Sequence, residues 1–298
     1  MVAGLAGHLL AQNYKPAVPM QSLMNMRFYE ANGGFLVEDI QVVFPPASFQ
    51  KAELVVTKDG GGTVASVPLR YEKFELPAFG RFRPASGNPG NLRIGQSGDF
   101  VMSVVIDGQT ITRMPFSLKE ETSADPFAPG KRFVRSGSWS DLAYLKVVPD
   151  DPSGQLTLSW WTSTRELPAG VKAPKVTVHL MNGGKEIATT QGAVVPDTMD
   201  WYFYDYKQLS VPSQPRAHWM TLDDLQKLNG DVTVVLKANG TPFKTYKLTV
   251  AGGQVQRLTE NALNHEPHAA FISPRFIDTG RSNSDNKMFE MYWLRAVK

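Results

Sequence analysis

The residues able to do chemistry are few and scattered. Histidine occurs five times, at His8, His179, His218, His265 and His268. Only the last two are close, in His265-Glu266-Pro267-His268. A metal ion needs three or four convergent ligands, and these residues supply part of such a set. Pro267, however, disfavours the helical turn that would face both rings one way. The segment reads as a polar surface loop, and no metal site is expected. Two acidic pairs, Asp150-Asp151 and Asp223-Asp224, have the residue type for acid–base work. The first precedes Pro152 in a turn and the second suits the start of a helix, so neither has a partner to shift its pKa. No Gly-x-Ser-x-Gly elbow occurs, and Ser136-Gly137-Ser138 and Ser153-Gly154 read as turns. Gly33-Gly34 and Gly60-Gly61-Gly62 lack the Lys-Ser/Thr ending of a phosphate loop. There is no cysteine, which excludes disulfides, thiolate zinc sites and cysteine nucleophiles but leaves the compartment open. No catalytic residue and no cofactor is expected.

The aromatic residues carry more information. All six tryptophans, Trp139, Trp160, Trp161, Trp201, Trp219 and Trp293, lie after Lys119. Trp160 and Trp161 are adjacent on one predicted strand and so point to opposite faces. Trp201-Tyr202-Phe203-Tyr204-Asp205-Tyr206 poses the same problem. Either the rest of the chain covers the second face, or an aromatic platform is left for a sugar or peptide ligand. Trp160, Trp161, Trp201 and Tyr204 are the candidate ligand-binding residues of that platform.

The elements that must position these rings follow from alternation and turn chemistry. Gly98-Asp99 to Asp107-Gly108 aligns without a gap on Gly230-Asp231 to Asn239-Gly240. Met114, Phe116 and Leu118 then meet Tyr246, Leu248 and Val250 in the same register. Asp-Gly and Asn-Gly suit two-residue hairpin turns, which need positive φ. Lys51 to Thr57 with its glycine turn likewise resembles Lys175 to Met181 with Asn182-Gly183-Gly184. Two matched hairpins in one order predict an all-β chain. It comprises two tandem antiparallel β-sandwich domains of immunoglobulin-like type, an internal duplication, with a docked C-terminal tail.

The boundaries expected are an N-terminal segment at 1–22, domain one at 23–118 and a linker at 119–141. Domain two is expected at 142–260 and the tail at 261–298. The tail ends Met288-Phe289-Glu290-Met291-Tyr292-Trp293-Leu294, too apolar to hang free, and is expected to dock as a strand or helix. A helical turn is expected at Thr221–Leu228, capped by Thr221.

Val2 to Ala11 resembles the end of a signal-peptide apolar region, with Leu9 and Ala11 at the −3 and −1 positions of a cleavage site. The basic stretch before it is missing, as it would be if the start lay too far downstream. No run of about 18 apolar residues occurs elsewhere, so no transmembrane helix is expected. The net charge of +3 comes from scattered residues without a basic patch, which argues against nucleic acid.

This pattern resembles tandem immunoglobulin-like or fibronectin-type modules of bacterial envelope proteins, in architecture over about two thirds of the chain rather than in motif. The resemblance implies a secreted or periplasmic, non-catalytic structural or protein-interaction module. Its partner would be another protein or a glycan of the envelope. Two alternatives stand beside it. One is a carbohydrate- or peptide-binding protein using the domain-two aromatics. The other is a hydrolase with its acids at the domain junction.

Overall fold

The computed structural model describes residues 16, 18, 20–24, 26–43, 45–73, 79–122, 130–147, 154–171, 173–190, 192–195, 201–212, 217–256, 275–278 and 287–297. The chain is all-β with curled antiparallel sheets. The described residues form two compact units, the first running to Ser138 and the second opening at Trp139.

The first unit opens with a short helix, α1 (Met20–Met24). Ten strands follow: β1 (Arg27–Tyr29), β2 (Gly34–Val37), β3 (Ile40–Val43), β4 (Ala52–Lys58) and β5 (Thr63–Lys73), then β6 (Phe79–Pro84), β7 (Gly90–Arg93), β8 (Gly98–Ile106), β9 (Gln109–Thr122) and β10 (Lys131–Ser136). Seven of them make one sheet in the order β10-β9-β8-β4-β5-β6-β3, and β1-β2-β7 make a second. Period-two alternation decides the inner face. Ala52, Leu54 and Val56 of β4 are buried, as are Phe100, Met102, Val104 and Ile106 of β8 and Met114, Phe116 and Leu118 of β9. Phe35 of β2 meets Phe116 edge to face, with centroids 5.5 Å apart. The buried Arg135 guanidinium lies over the Phe28 and Phe35 rings at 5.2 and 5.4 Å and donates to the Met24 carbonyl. Val18 is buried too, its N–H donating to the Thr112 hydroxyl at 2.9 Å. The segment read as a linker carries strand at both ends, since β9 runs to Thr122 and pairs with β10 from Lys131 to Ser136. Phe133 on β10 is buried and anchors that pairing.

The second unit opens within a 3₁₀ turn, Ser138–Asp141. Its strands are β11 (Leu142–Val147), β12 (Leu156–Ser163), β13 (Lys175–Asn182), β14 (Lys185–Thr189), β15 (Ala193–Val194), β16 (Trp201–Gln208) and β17 (Ser210–Val211). They continue with β18 (His218–Trp219), β19 (Gly230–Ala238), β20 (Thr241–Ala251), β21 (Gln254–Val255), β22 (Arg275–Asp278) and β23 (Lys287–Ala296). The main path is β16-β12-β11-β23-β20-β19-β13-β14-β17-β18. The sheet curls until its two ends meet. Gln155 bridges Thr221, and Leu156 donates to the Met220 carbonyl at 2.8 Å. One core fills the inside, including Leu158, Trp160, Val178, Leu236, Tyr246 and Leu294. The apolar tail is a strand, and it enters the sheet between β11 and β20. The expected helical turn is α2 (Leu222–Gln226), with the Thr221 hydroxyl accepting from Asp224 N–H.

One four-strand block occurs in both units. The order β9-β8-β4-β5 in the first matches β20-β19-β13-β14 in the second. Gly98 faces Leu118, as Gly230 faces Val250. The register shifts between Val104 and Val105 in one block and between Leu236 and Lys237 in the other. Asp107 and Asn239 share a φ of 47°. Their side chains accept from Lys51 N–H at 2.8 Å and Lys175 N–H at 2.9 Å. The Ser117 hydroxyl donates to Asp99, and the Thr249 hydroxyl to Asp231.

The shared turn gives a testable ordering. In Asn239→Gly the positive φ remains and only the hydrogen bond is lost, at about 1 kcal/mol. In Asn239→Ala the left-handed backbone adds about 1 kcal/mol more. Urea unfolding is expected to rank wild type above Gly above Ala, with Asp107 ranking the same way.

Candidate functional site

Strand β12 is buried along its whole length, on both faces. On the inner face Trp160 stacks on Tyr204 of β16, centroids 4.6 Å apart and planes at 19°. Trp160 is fully buried and Tyr204 is 3% exposed. On the opposite face Trp161 stacks on Phe203 at 4.7 Å, and Tyr144 packs against both Phe203 and Trp293. Trp161, Tyr144 and Trp293 are buried as well. Trp201 is half-buried and meets Trp139 edge-on at 4.8 Å. The structure thus gathers Trp160 with Tyr204 on one face and holds Trp161 and Trp201 on the other. These rings are packed among other side chains, and burial raises the pKa of the Tyr204 phenol. Among the large apolar side chains of the described residues, Trp219 is exposed at 43%.

A buried polar group sits beside this cluster. The Lys244 ammonium, on β20, donates to Glu166 Oε1 at 2.7 Å, to the Ser140 carbonyl at 2.6 Å and to the Trp161 carbonyl at 3.3 Å. It also lies 5.5 Å from the Trp201 ring centroid. Its three donors are thereby used. Burial pushes the Lys244 ammonium below its ordinary value, and Glu166 pulls it part of the way back. Glu166 ends a 3₁₀ turn at Thr164–Glu166, and its other oxygen accepts from Thr162 and from Ser163 N–H. Through these contacts Lys244 ties Ser140 and Glu166 to the sheet.

The other titratable groups are engaged in local structure. His179 on β13 bonds Glu186 and Thr177. His218 bonds Asp224, the carboxylate that caps α2. Burial raises the Asp224 pKa, but the Thr221 N–H, the Thr221 hydroxyl and His218 outweigh it and hold the carboxyl below 3.8. Asp223 lies exposed in the first turn of the same helix. Asp150-Asp151, His265, Glu266 and His268 lie outside the described residues. Among the described residues no group of three His, Asp or Glu converges as a metal site. No helix there is long and apolar enough to cross a membrane.

Sequence reading missed two surface features of the first unit. The first is a charge ladder on β5 and β6 that reaches Asp39, just before β3. Arg83 bonds Asp39, Arg81 bonds Glu72 at 2.7 Å, and Arg70 pairs with Glu72 at 2.9 Å. The second is a hollow of about 480 Å³ on the three-stranded sheet, lined by Tyr29, Asn32, Gly34, Phe35, Asn91, Leu92 and Arg93. Both depend on which short strands become neighbours, which local patterns do not encode. The one available signal was glycine at 34 amid apolar and aromatic residues, since strand glycine often marks a close approach.

None of the protein-family models, curated proteins or solved structures compared with the chain matches it. What the geometry defines is therefore the class alone, an all-β protein of two units.

Two stability experiments follow. Glu166→Ala leaves a buried ammonium without its counter-charge and is expected to cost about 3 kcal/mol. Lys244→Met removes the charge at similar volume and is expected to cost much less. Urea midpoints report the difference. Separately, the Arg83 hydrogen bond holds the Asp39 carboxyl below 3.8. A lowered carboxylate stabilises the fold above its unfolded pKa, and that contribution is lost as pH falls through the lowered folded value. Arg83→Gln is expected to flatten the acid limb of a Tm–pH curve below about pH 4.

Proposed function

We propose that the chain is a non-catalytic structural or protein-interaction module of the bacterial cell envelope or secreted space. It would comprise two β-sandwich domains of immunoglobulin-like type derived by duplication, with another protein or a glycan as partner. The carrying observation is the four-strand block found twice, with the same strand order, bulge position and turn clamp. Duplication of one unit accounts for all of these together. The titratable groups support the non-catalytic reading. Lys244, Glu166, His179, His218 and Asp224 each serve packing, capping or strand contacts. The location rests on the apolar run Val2 to Ala11. The saccharide platform expected of Trp160, Trp161, Trp201 and Tyr204 draws no support from the burial of Trp160, Trp161 and Tyr204.

The test is fractionation of the native host with an antibody to this chain. Recovery in the envelope or medium is expected. Recovery confined to the cytosol would overturn the assignment.

A further inference from the structure

The sequence holds four Asn-Gly pairs, at 32–33, 182–183, 229–230 and 239–240. Such a pair can cyclise, because glycine has no side chain to keep its nitrogen from the preceding amide carbon. Three conditions favour the step. The glycine nitrogen must lie outside a strand ladder. The amide oxygen needs a donor for the negative charge it gathers. The amide nitrogen must be able to leave.

Three of the four pairs fail one condition each. Asn182 Nδ2 donates to the carbonyls of Asn229 and Asp231, both at 3.2 Å, so its leaving group is held. Gly230 opens β19 and faces Val250. The Asp231 carbonyl is turned toward Asn182 on β13, so by alternation the Gly230 N–H is turned toward β20 and joins the ladder. Asn32 Oδ1 is buried and accepts no hydrogen bond, so charge gathering on it meets no donor.

The pair at 239–240 meets all three conditions. Strand β19 ends at Ala238 and β20 begins at Thr241, and these two residues face each other. The Gly240 nitrogen therefore lies in the turn between them. Asn239 Oδ1 accepts from the Lys175 N–H at 2.9 Å, and Asn239 N–H donates back to the Lys175 carbonyl at 3.0 Å. That donor is thus fixed against the oxygen. Asn239 and Gly240 are both exposed. Apart from chain neighbours, no atom stands within 4 Å of a Cβ built on Gly240, which leaves room for a ring. Asn239 Nδ2 makes no hydrogen bond among the described residues.

We propose that the Asn239-Gly240 turn is a site of spontaneous covalent modification, at which the Asn239 amide is lost as ammonia. The Gly240 nitrogen gives up its proton and bonds Asn239 Cγ. Negative charge builds on Oδ1, against the Lys175 N–H. The Cγ–Nδ2 bond then breaks, ammonia leaves with that proton, and a five-membered succinimide remains. Water opens the ring at either carbonyl, leaving aspartate or isoaspartate at position 239. One water enters for each ammonia released. The fold has a place for aspartate there. The matching turn of the first unit carries Asp107, which accepts from the N–H groups of Gln50 and Lys51 at 3.0 and 2.8 Å. In the second unit Pro174 stands where Gln50 does, so the product keeps the Lys175 bond alone. Isoaspartate instead adds a carbon to the main chain and breaks the two-residue hairpin.

Peptide mass mapping tests the proposal, because trypsin puts the four pairs in separate peptides, 28–51, 176–185, 228–237 and 238–244. The full chain is incubated in mildly alkaline buffer, folded in one sample and unfolded by guanidinium chloride in another. Conversion is read as the gain of one mass unit. In the unfolded chain the four pairs are expected to react at comparable rates. In the folded chain peptide 238–244 is expected to lead each of the others by about tenfold, about 1.4 kcal/mol of barrier. No conversion there, a lead by another peptide, or equal rates at all four in the folded chain would overturn the proposal. The same tenfold lead in guanidinium chloride would assign the reaction to sequence alone and overturn the role given to the turn.

Discussion

The second unit is organised around a strand that is apolar on both faces. A sheet normally hides one face and wets the other, but β12 carries Trp160 and Trp161 side by side, and each needs cover. Burying aromatics of this size is among the larger favourable terms in a small domain. Curling answers the inner side, bringing Tyr204, Tyr246 and Leu294 around Trp160 in one core. The outer side is served by Tyr144, Phe203 and Trp293, contributed by the neighbouring strands β11, β16 and β23. The strand order of the unit and the position of its aromatics are thus one constraint seen twice.

The two blocks also use the same inward position for the same task. Beside the bulge in the first, Thr112 faces Val104, and beside the bulge in the second, Lys244 faces Leu236. Thr112 holds the backbone of Val18, and Lys244 holds the backbone of Ser140. Each is a buried polar group that fastens the segment leading into its own unit. A hydroxyl suffices in one case. In the other a longer side chain brings a charge inside, and Glu166 must come with it.

Much of the sheet framework was legible from local pattern. Alternation and Asp-Gly or Asn-Gly turns placed β4, β8, β13, β19 and β20 to within a residue or two, and β9 up to its last four residues, because a hairpin is a local object. The pairs at 160–161 and 201–204 signalled that both faces of a strand need cover. Short strands were not legible. Three or four residues at β1, β2 and β7 show no periodicity, and their neighbours come from distant sequence. The insertion of β23 between β11 and β20 was equally hidden, since apolar content shows that a segment docks but not where. Nothing in the sequence marks Lys244 for burial, because only the fold supplies the carbonyls and carboxylate that let it go inside. The hollow needs Tyr29, Gly34 and Arg93 in one row, which is a property of register rather than composition.

The placement of β23 has a bearing on biosynthesis. Strands β11 and β20 leave the ribosome long before the residues that join them. Until Lys287–Ala296 emerge, each exposes a row of free amides and carbonyls along an apolar edge, the kind of template that recruits foreign strands. The unit cannot seal itself in the order it is made. Nascent chains halted anywhere between Ala251 and Lys287 are therefore the species most in need of a chaperone.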